Sequence, residues 1–223
     1  MATIYSDNND GYVRGFSTVN WATAKALTTG SSASSTATYY NFAIQSGKVT
    51  LRGGTVLYVN TRSCFEFDTS SISETPTAAT LNIYGTGASS GDFFVIASTQ
   101  GSTLGTGDFD AMVLSGVPGS YDGSGGGDIE SYVTKYSAEV TSWNILAYNS
   151  ITLNSAALSQ IASASTFKIM CMESVHDMRD IEPSANNRSG AFYANNTGTS
   201  QDPYLDVTEA VTADNATFFG CNF

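Results

Sequence analysis

The chain has a single histidine, His176, with two carboxylates, Asp177 and Asp180, close behind it. A neighbouring carboxylate can orient an imidazole for general-base work, provided a nucleophile lies within reach. The stretch that resembles a nucleophile elbow is Gly87-Ala88-Ser89-Ser90-Gly91. An elbow needs a strand before it and a helix after it, inside an α/β fold. Here a turn between Tyr84 and Phe93 explains the glycines better. His176, in a polar loop ahead of Pro183, reads as a hydrogen-bonded anchor, and one histidine cannot build a His-rich zinc site. These residues predict no catalytic site and no enzymatic activity.

Oxygen donors gather at Asp7-Asn8-Asn9-Asp10-Gly11. An EF-hand would place its first ligand at Ser6 and its bidentate glutamate at Ser17, so that pattern fails. An Asx turn is the plainer reading and structural calcium the alternative; no other cofactor is implied. The glycines near Gly85 and Gly105 miss the dinucleotide fingerprint and bring no P-loop lysine. Trp21, Trp143 and the pair Tyr39-Tyr40 suggest either a sugar-stacking platform or core filling, and core is the default for large aromatics. Phe218, Phe219 and Phe223 cluster near the end of the sequence. An exposed apolar cluster marks an interface, and docking onto the protein's own sheet is the equal alternative.

The elements that must position these groups are strands. Of 223 residues, 41% are hydrophobic, 12% aromatic and only 13% charged, against about 25% charged in an average domain. Ser, Thr, Asn and Gly fill the difference, a composition typical of all-β sandwiches and barrels. The net charge of −11 excludes the basic footprint that nucleic acid requires. No apolar run reaches membrane-spanning length, and the first residues lack the basic and apolar regions of a signal peptide. Cys64, Cys171 and Cys221 are odd in number and widely spaced, which favours free thiols made in a reducing compartment. The sequons at Asn187, Asn195 and Asn215 carry little weight without a secretory route.

Apolar and polar residues alternate with period 2 through Arg62–Asp68 and Ala79–Tyr84. Further short strands are expected at Tyr12–Phe16, Tyr39–Ile44, Val49–Leu51, Val56–Val59, Phe93–Ile96, Phe167–Met172, Gly190–Tyr193 and Tyr204–Val207. Val140–Trp143 leans to strand. Ala156–Ile161 has helical spacing, Arg52-Gly53-Gly54 forms a turn, and 28–38 and 115–128 read as loops.

In this order the pieces resemble the DNRLRE-type β-sandwich family, a carbohydrate-binding-module-like jelly roll. The residues concerned are Asp10-Gly11-Tyr12-Val13, Trp21 with Ala22-Thr23-Ala24-Lys25, and Arg62–Asp68 with Thr69-Ser70-Ser71-Ile72 and Ala79-Thr80-Leu81. Later come Val140-Thr141-Ser142-Trp143, Leu153-Asn154, His176-Asp177 with Pro183, Phe192–Asn196, and Asp202–Thr208. The resemblance implies a jelly-roll β-sandwich of two antiparallel sheets, with long loops and at most one or two short helices. The resemblance covers roughly residues 3–208; residues 1–208 are expected to form one domain, followed by a tail at 209–223. It also implies a structural protein of a tailed-phage particle, on capsid, tail or fibre, made in the host cytoplasm. Its partners would be the major capsid protein, other virion proteins and further copies of itself, with no nucleic acid or membrane. The alternative is a carbohydrate-binding module of a bacterial surface or secreted protein, with a glycan as ligand.

Overall fold

The computed structural model describes residues 1–115, 127–194 and 200–210. Phe218, Phe219 and Phe223, Cys221, the sequons at Asn195 and Asn215, and most of the 115–128 loop lie outside them. The described strands are antiparallel, and β6 (Ala78–Ser89) is the seam between two layers. One edge of β6 pairs with β8 (Tyr148–Thr152). Its other edge pairs first with β11 (Tyr204–Thr208) and then, further along, with β10 (Asn187–Phe192). β1 (Ala2–Tyr5) completes this layer by pairing with β11. From β10 the second layer continues through β4 (Tyr39–Thr50) and β5 (Val56–Asp68) to β2 (Gly11–Ser17) and β3 (Ser32–Ser34). The far half of β5 pairs with β9 (Thr166–Glu173), which pairs in turn with β7 (Phe93–Ala97).

The layers close over one core. Leu81, Ile83, Ile151, Leu205 and Val207 come from the first, and Phe65, Phe67, Val95, Phe167 and Ile169 from the second. These are every-other positions of their strands, which the strand pleat sends to one face. The all-β sandwich expected from the sequence is what forms. The opposite face of the second layer is covered as well. Val13, Cys64, Ile96, Met170 and Met172 pack beneath Leu104, Phe109, Met112, Ile129 and Val133 from the irregular segments on either side of residues 116–126. With both faces buried, β7 and β9 read as nearly continuous apolar runs.

Strand ends differ from the sequence reading where polar residues hide pairing. Tyr39–Ile44 and Val49–Thr50 are one strand, β4, because Gln45, Ser46 and Gly47 keep the ladder to β5; Leu51 falls in the turn that follows. β5 likewise runs unbroken from Val56 to Asp68. β6 continues as strand to Ser89, so Ser89 stands in a strand rather than a turn. Val140–Trp143 forms no strand and makes a single bridge, Val140 to Phe93. The 28–38 loop includes β3. Gly53 and Gly54 hold φ of 103° and 85° in the β4–β5 turn, a region open to glycine at little cost. At the β10 bulge, a Cβ on Gly190 would sit 1.9 Å from the Thr86 carbonyl oxygen.

Helical pieces are short. α1 (Trp21–Lys25), which the pattern did not reveal, is capped by Asn20 accepting from Thr23 N. α2 (Ser155–Ser163) is capped by Asn154 accepting from Ala156 N and Ala157 N. A 3₁₀ turn spans Thr106–Asp110 and a π-helical turn spans Ser174–Met178.

Three of these pieces, α1, the 3₁₀ turn and the π-helical turn, meet around one buried cation. Arg62 points from β5 away from the main core, and its side chain is fully buried. Its Nε and Nη2 donate to the two carboxylate oxygens of Asp177 at 2.8 Å each. Nη1 donates to the Phe109 carbonyl, and the guanidinium lies 4.2 Å from the centre of the Phe109 ring. A planar fork matched to a carboxylate is the strong geometry for such a pair. Beside it, buried Lys25 of α1 pairs with Asp180 at 3.2 Å and donates to the Gly127 carbonyl. Removing one member of a buried pair leaves the other charge uncompensated, at a cost of about 3–5 kcal/mol. Arg62→Met and Asp177→Ala should each lower unfolding stability by about that much in urea titration. The double variant Arg62→Met/Asp177→Leu should lose less than the sum. Single losses below about 1 kcal/mol would show that the pair does not hold these layers together.

Candidate functional site

His176 sits in the π-helical turn, where both ring nitrogens are engaged. Nδ1 donates to the Ile181 carbonyl at 2.6 Å, so Nε2 accepts from the Asn187 side-chain amide. The backbone N–H groups of His176 and Asp177 donate to the Glu173 carboxylate at 2.6 and 3.1 Å, which caps the turn. Burial raises the Glu173 pKa, and those two N–H donors oppose the shift. Asp177 is committed to Arg62 and Asp180 to Lys25. Ser89 stands on β6 opposite Ser189 of β10 and makes no hydrogen bond to His176 among the described residues. What the geometry provides around His176 is a fastened loop, in which the imidazole, Glu173, Asp177 and Asp180 each have a partner.

Asp7–Gly11 is an Asx turn. Asp7 accepts from Asn9 N at 3.1 Å and its carbonyl from Asp10 N at 3.2 Å. Asn9 reaches across to Glu66, to the Gly101 carbonyl and to Leu104 N. Asp10 points inward, accepting from Ser6 Oγ at 2.8 Å and from Ala194 N at 3.1 and 2.9 Å. It therefore ties the N-terminal turn to the residues after β10. Among the described residues no three His, Cys, Asp or Glu side chains converge in a way that would hold a metal ion.

The sequence-predicted aromatic platform is dispersed. Trp21 is buried on α1 against Tyr58, and its ring meets His176 edge-on at 6.5 Å. Trp143 is buried too, donating Nε1–H to the Gly190 carbonyl at 3.0 Å and meeting Phe93 edge-to-face. Tyr40 stacks on Tyr12 with ring centres 4.0 Å apart. Only Tyr39 is substantially open, 50% exposed and 5.4 Å from Phe192. The tryptophans and Tyr40 fill space, as large aromatics in a sandwich do.

Sequence reasoning missed the surface on which Tyr39 lies. Tyr5, Tyr204, Tyr148, Tyr84, Phe192 and Tyr39 form an unbroken row of neighbouring rings on the solvent side of the first layer and its junction with β4. Successive ring centres are 5.7, 5.1, 5.2, 5.4 and 5.4 Å apart. Each alternates with an inward residue such as Leu205, Ile83 or Ala191. The period-2 pattern marks them as outward positions, but only strand register brings them into line: Tyr5 opposes Tyr204, Tyr84 opposes Tyr148, and Phe192 opposes Tyr39.

No family model and no curated protein matches this chain. The resemblance to DNRLRE-type sandwiches rests on the order of strand and turn motifs. A cleft of about 440 Å³, lined by Ser98, Thr99, Thr134, Tyr136, Gln160 and Lys168 among others, shares no residue with the His176 loop, the Asx turn or the aromatic row.

Burial raises the Asp10 pKa to about 7 from an ordinary 3.8; its hydrogen bonds oppose the shift, and nearby Asp202 and Asp7 add to it. Between those values the folded state holds a proton that the unfolded state has released. Stability from this group is therefore fullest below about pH 4 and declines as pH rises towards 7. Asp10→Asn should flatten that part of the stability–pH profile measured by urea unfolding from pH 4 to 8. An unchanged slope would mean that Asp10 is ionised throughout.

Proposed function

We propose that this protein is a non-catalytic structural component of a tailed-bacteriophage particle, placed on the capsid as a decoration protein or on the tail or its fibres. It acts by adhesion between protein surfaces. The observation that carries this reading is how the polar chemistry is spent: His176, Asp177, Arg62 and Lys25 all fasten loops to the sandwich. What remains for function is surface. Partners are the major capsid protein, other virion proteins and further copies of the chain, which gain in an array what one weak contact lacks. The net charge of −11 keeps unassembled copies soluble and disfavours nucleic acid. Cys64 and Cys171 are buried free thiols, packed on opposite faces of the same layer, which fits synthesis in a reducing host cytoplasm. A carbohydrate-binding module is the second reading, favoured by the row of outward aromatic rings rather than by Trp21 or Trp143.

Particles from the source culture, banded on a density gradient, should contain this chain in fixed ratio to the major capsid protein. A ratio near one per capsid subunit, or a simple fraction of it, places it on the capsid. A few dozen copies place it on the tail. Absence from particles overturns the reading.

A further inference from the structure

Cations are scarce in this chain, and all nine Lys and Arg lie among the described residues. Six of them, Lys25, Lys48, Arg62, Lys135, Lys168 and Arg179, are ion-paired. Two of the other three, Arg14 and Arg188, share one face of the second layer. Arg188 of β10 opposes Gln45 of β4, Gln45 opposes Thr61 of β5, and Thr61 opposes Arg14 of β2. Directly opposed residues of a sheet point to the same side, so the four form a row across four strands. We propose that this row docks an acidic polypeptide segment, whose carboxylates pair with Arg14 and Arg188. It rests on the reading of the protein as an adhesion module and names the chemistry of one partner surface.

The two guanidinium groups are held in place but not satisfied. Arg14 is half-buried, and its Nη1 donates only to the Tyr40 hydroxyl, at 3.4 Å. Its Nε is closed off from solvent without an acceptor among the described residues. Arg188, also half-buried, lies 4.5 Å from the centre of the Phe42 ring. Neither meets a carboxylate among the described residues, in a chain with 20 Asp and Glu. Between them Gln45 and Thr61 are buried, and the Thr61 hydroxyl has no hydrogen-bond partner. A buried donor without an acceptor carries its desolvation cost uncompensated. A guanidinium recovers most from a carboxylate, which its planar fork matches with two hydrogen bonds.

Span and charge restrict the occupant. Three strand spacings put the two Cα atoms about 14 Å apart, too far for one phosphate or one carboxylate to serve both arginines. The side chains lean inward, Arg14 to Tyr40 and Arg188 to Phe42, whose ring centres are 5.7 Å apart. In an extended polypeptide alternate side chains point the same way, so acids two or four residues apart are separated by about 7 or 13 Å. That range spans the two guanidinium groups. The rings between them have no free faces for a sugar: Tyr12 and Tyr40 stack at 4.0 Å, and Arg188 covers Phe42. Nucleic acid is opposed by the net charge of −11. An acidic segment needs only the local complement of charge that the row provides.

Fluorescence anisotropy of a rhodamine-labelled peptide of glutamates alternating with glycines, titrated with the full chain, tests this. Saturation at about 1 mM protein or below is expected, with none for the glutamine analogue. Arg14→Gln and Arg188→Gln should each weaken binding by about tenfold. Arg52→Gln, at the exposed and unpaired arginine of the β4–β5 turn, should leave it unchanged. A circular-dichroism melt of each variant verifies folding. No saturation, equal binding of the glutamine analogue, or a loss in Arg52→Gln equal to that in the other two overturns the proposal. So does displacement of the peptide by inorganic phosphate or alginate at lower concentration than by unlabelled peptide. Sedimentation velocity identifies the source of the carboxylates. Self-association that Arg14→Gln/Arg188→Gln abolishes assigns them to a second copy, and a monomer that still binds the peptide assigns them to another protein. Particle co-sedimentation reads the structural role separately, so either idea fails without the other.

Discussion

Among the described residues, the segments that cover the second layer are gathered around one buried ion pair, Arg62 with Asp177. A sandwich needs no charge in its interior, and moving two charges out of water costs several kcal/mol each before any attraction is counted. The arrangement persists because it is fully satisfied: both guanidinium edges are used, one on a carboxylate and one on the Phe109 carbonyl. In return it joins β5 to three short pieces that have little regular hydrogen bonding of their own. β5 supplies the cation, the π-helical turn the anion, the 3₁₀ turn a carbonyl and a ring, and α1 the adjacent Lys25–Asp180 pair.

That clamp has a functional consequence. With His176 and Glu173 drawn into the same turn, the groups best suited to proton transfer act as caps and anchors. The clamp also fixes the covering segments over one face of the second layer, which leaves the outward face of the first layer as the broad ordered surface. On that face the strands bring aromatic rings from distant parts of the sequence next to one another. One face of the second layer is thus sealed by packing, while the first layer turns a run of neighbouring rings outward.

Much of the fold was legible because period-2 alternation reports the buried face directly. Phe65 and Phe67, Leu205 and Val207, and the unbroken Phe93–Ile96 run are all core as their pattern implies. α2 was legible from its apolar spacing. Pairing through polar residues was not, so β4 was divided and β6 stopped short. Arg62 and Asp177 stand 115 residues apart, and nothing in either neighbourhood marks them as partners. The tryptophans are conspicuous by size, and size is what draws them into the interior. The aromatic row was visible only as isolated outward tyrosines, since alignment across strands is a property of register, which a single chain's pattern does not contain.

Native-state hydrogen exchange tests the clamp most directly. If Arg62 and Asp177 bind the covering pieces to the sandwich, the amides of His176 and Asp177 should exchange only with the opening that releases the centre of β5, at a matching free energy. Exchange of those amides at the rate of an exposed loop, while β5 stays protected, would contradict the account: the turn would be an appendage and the pair a passive contact.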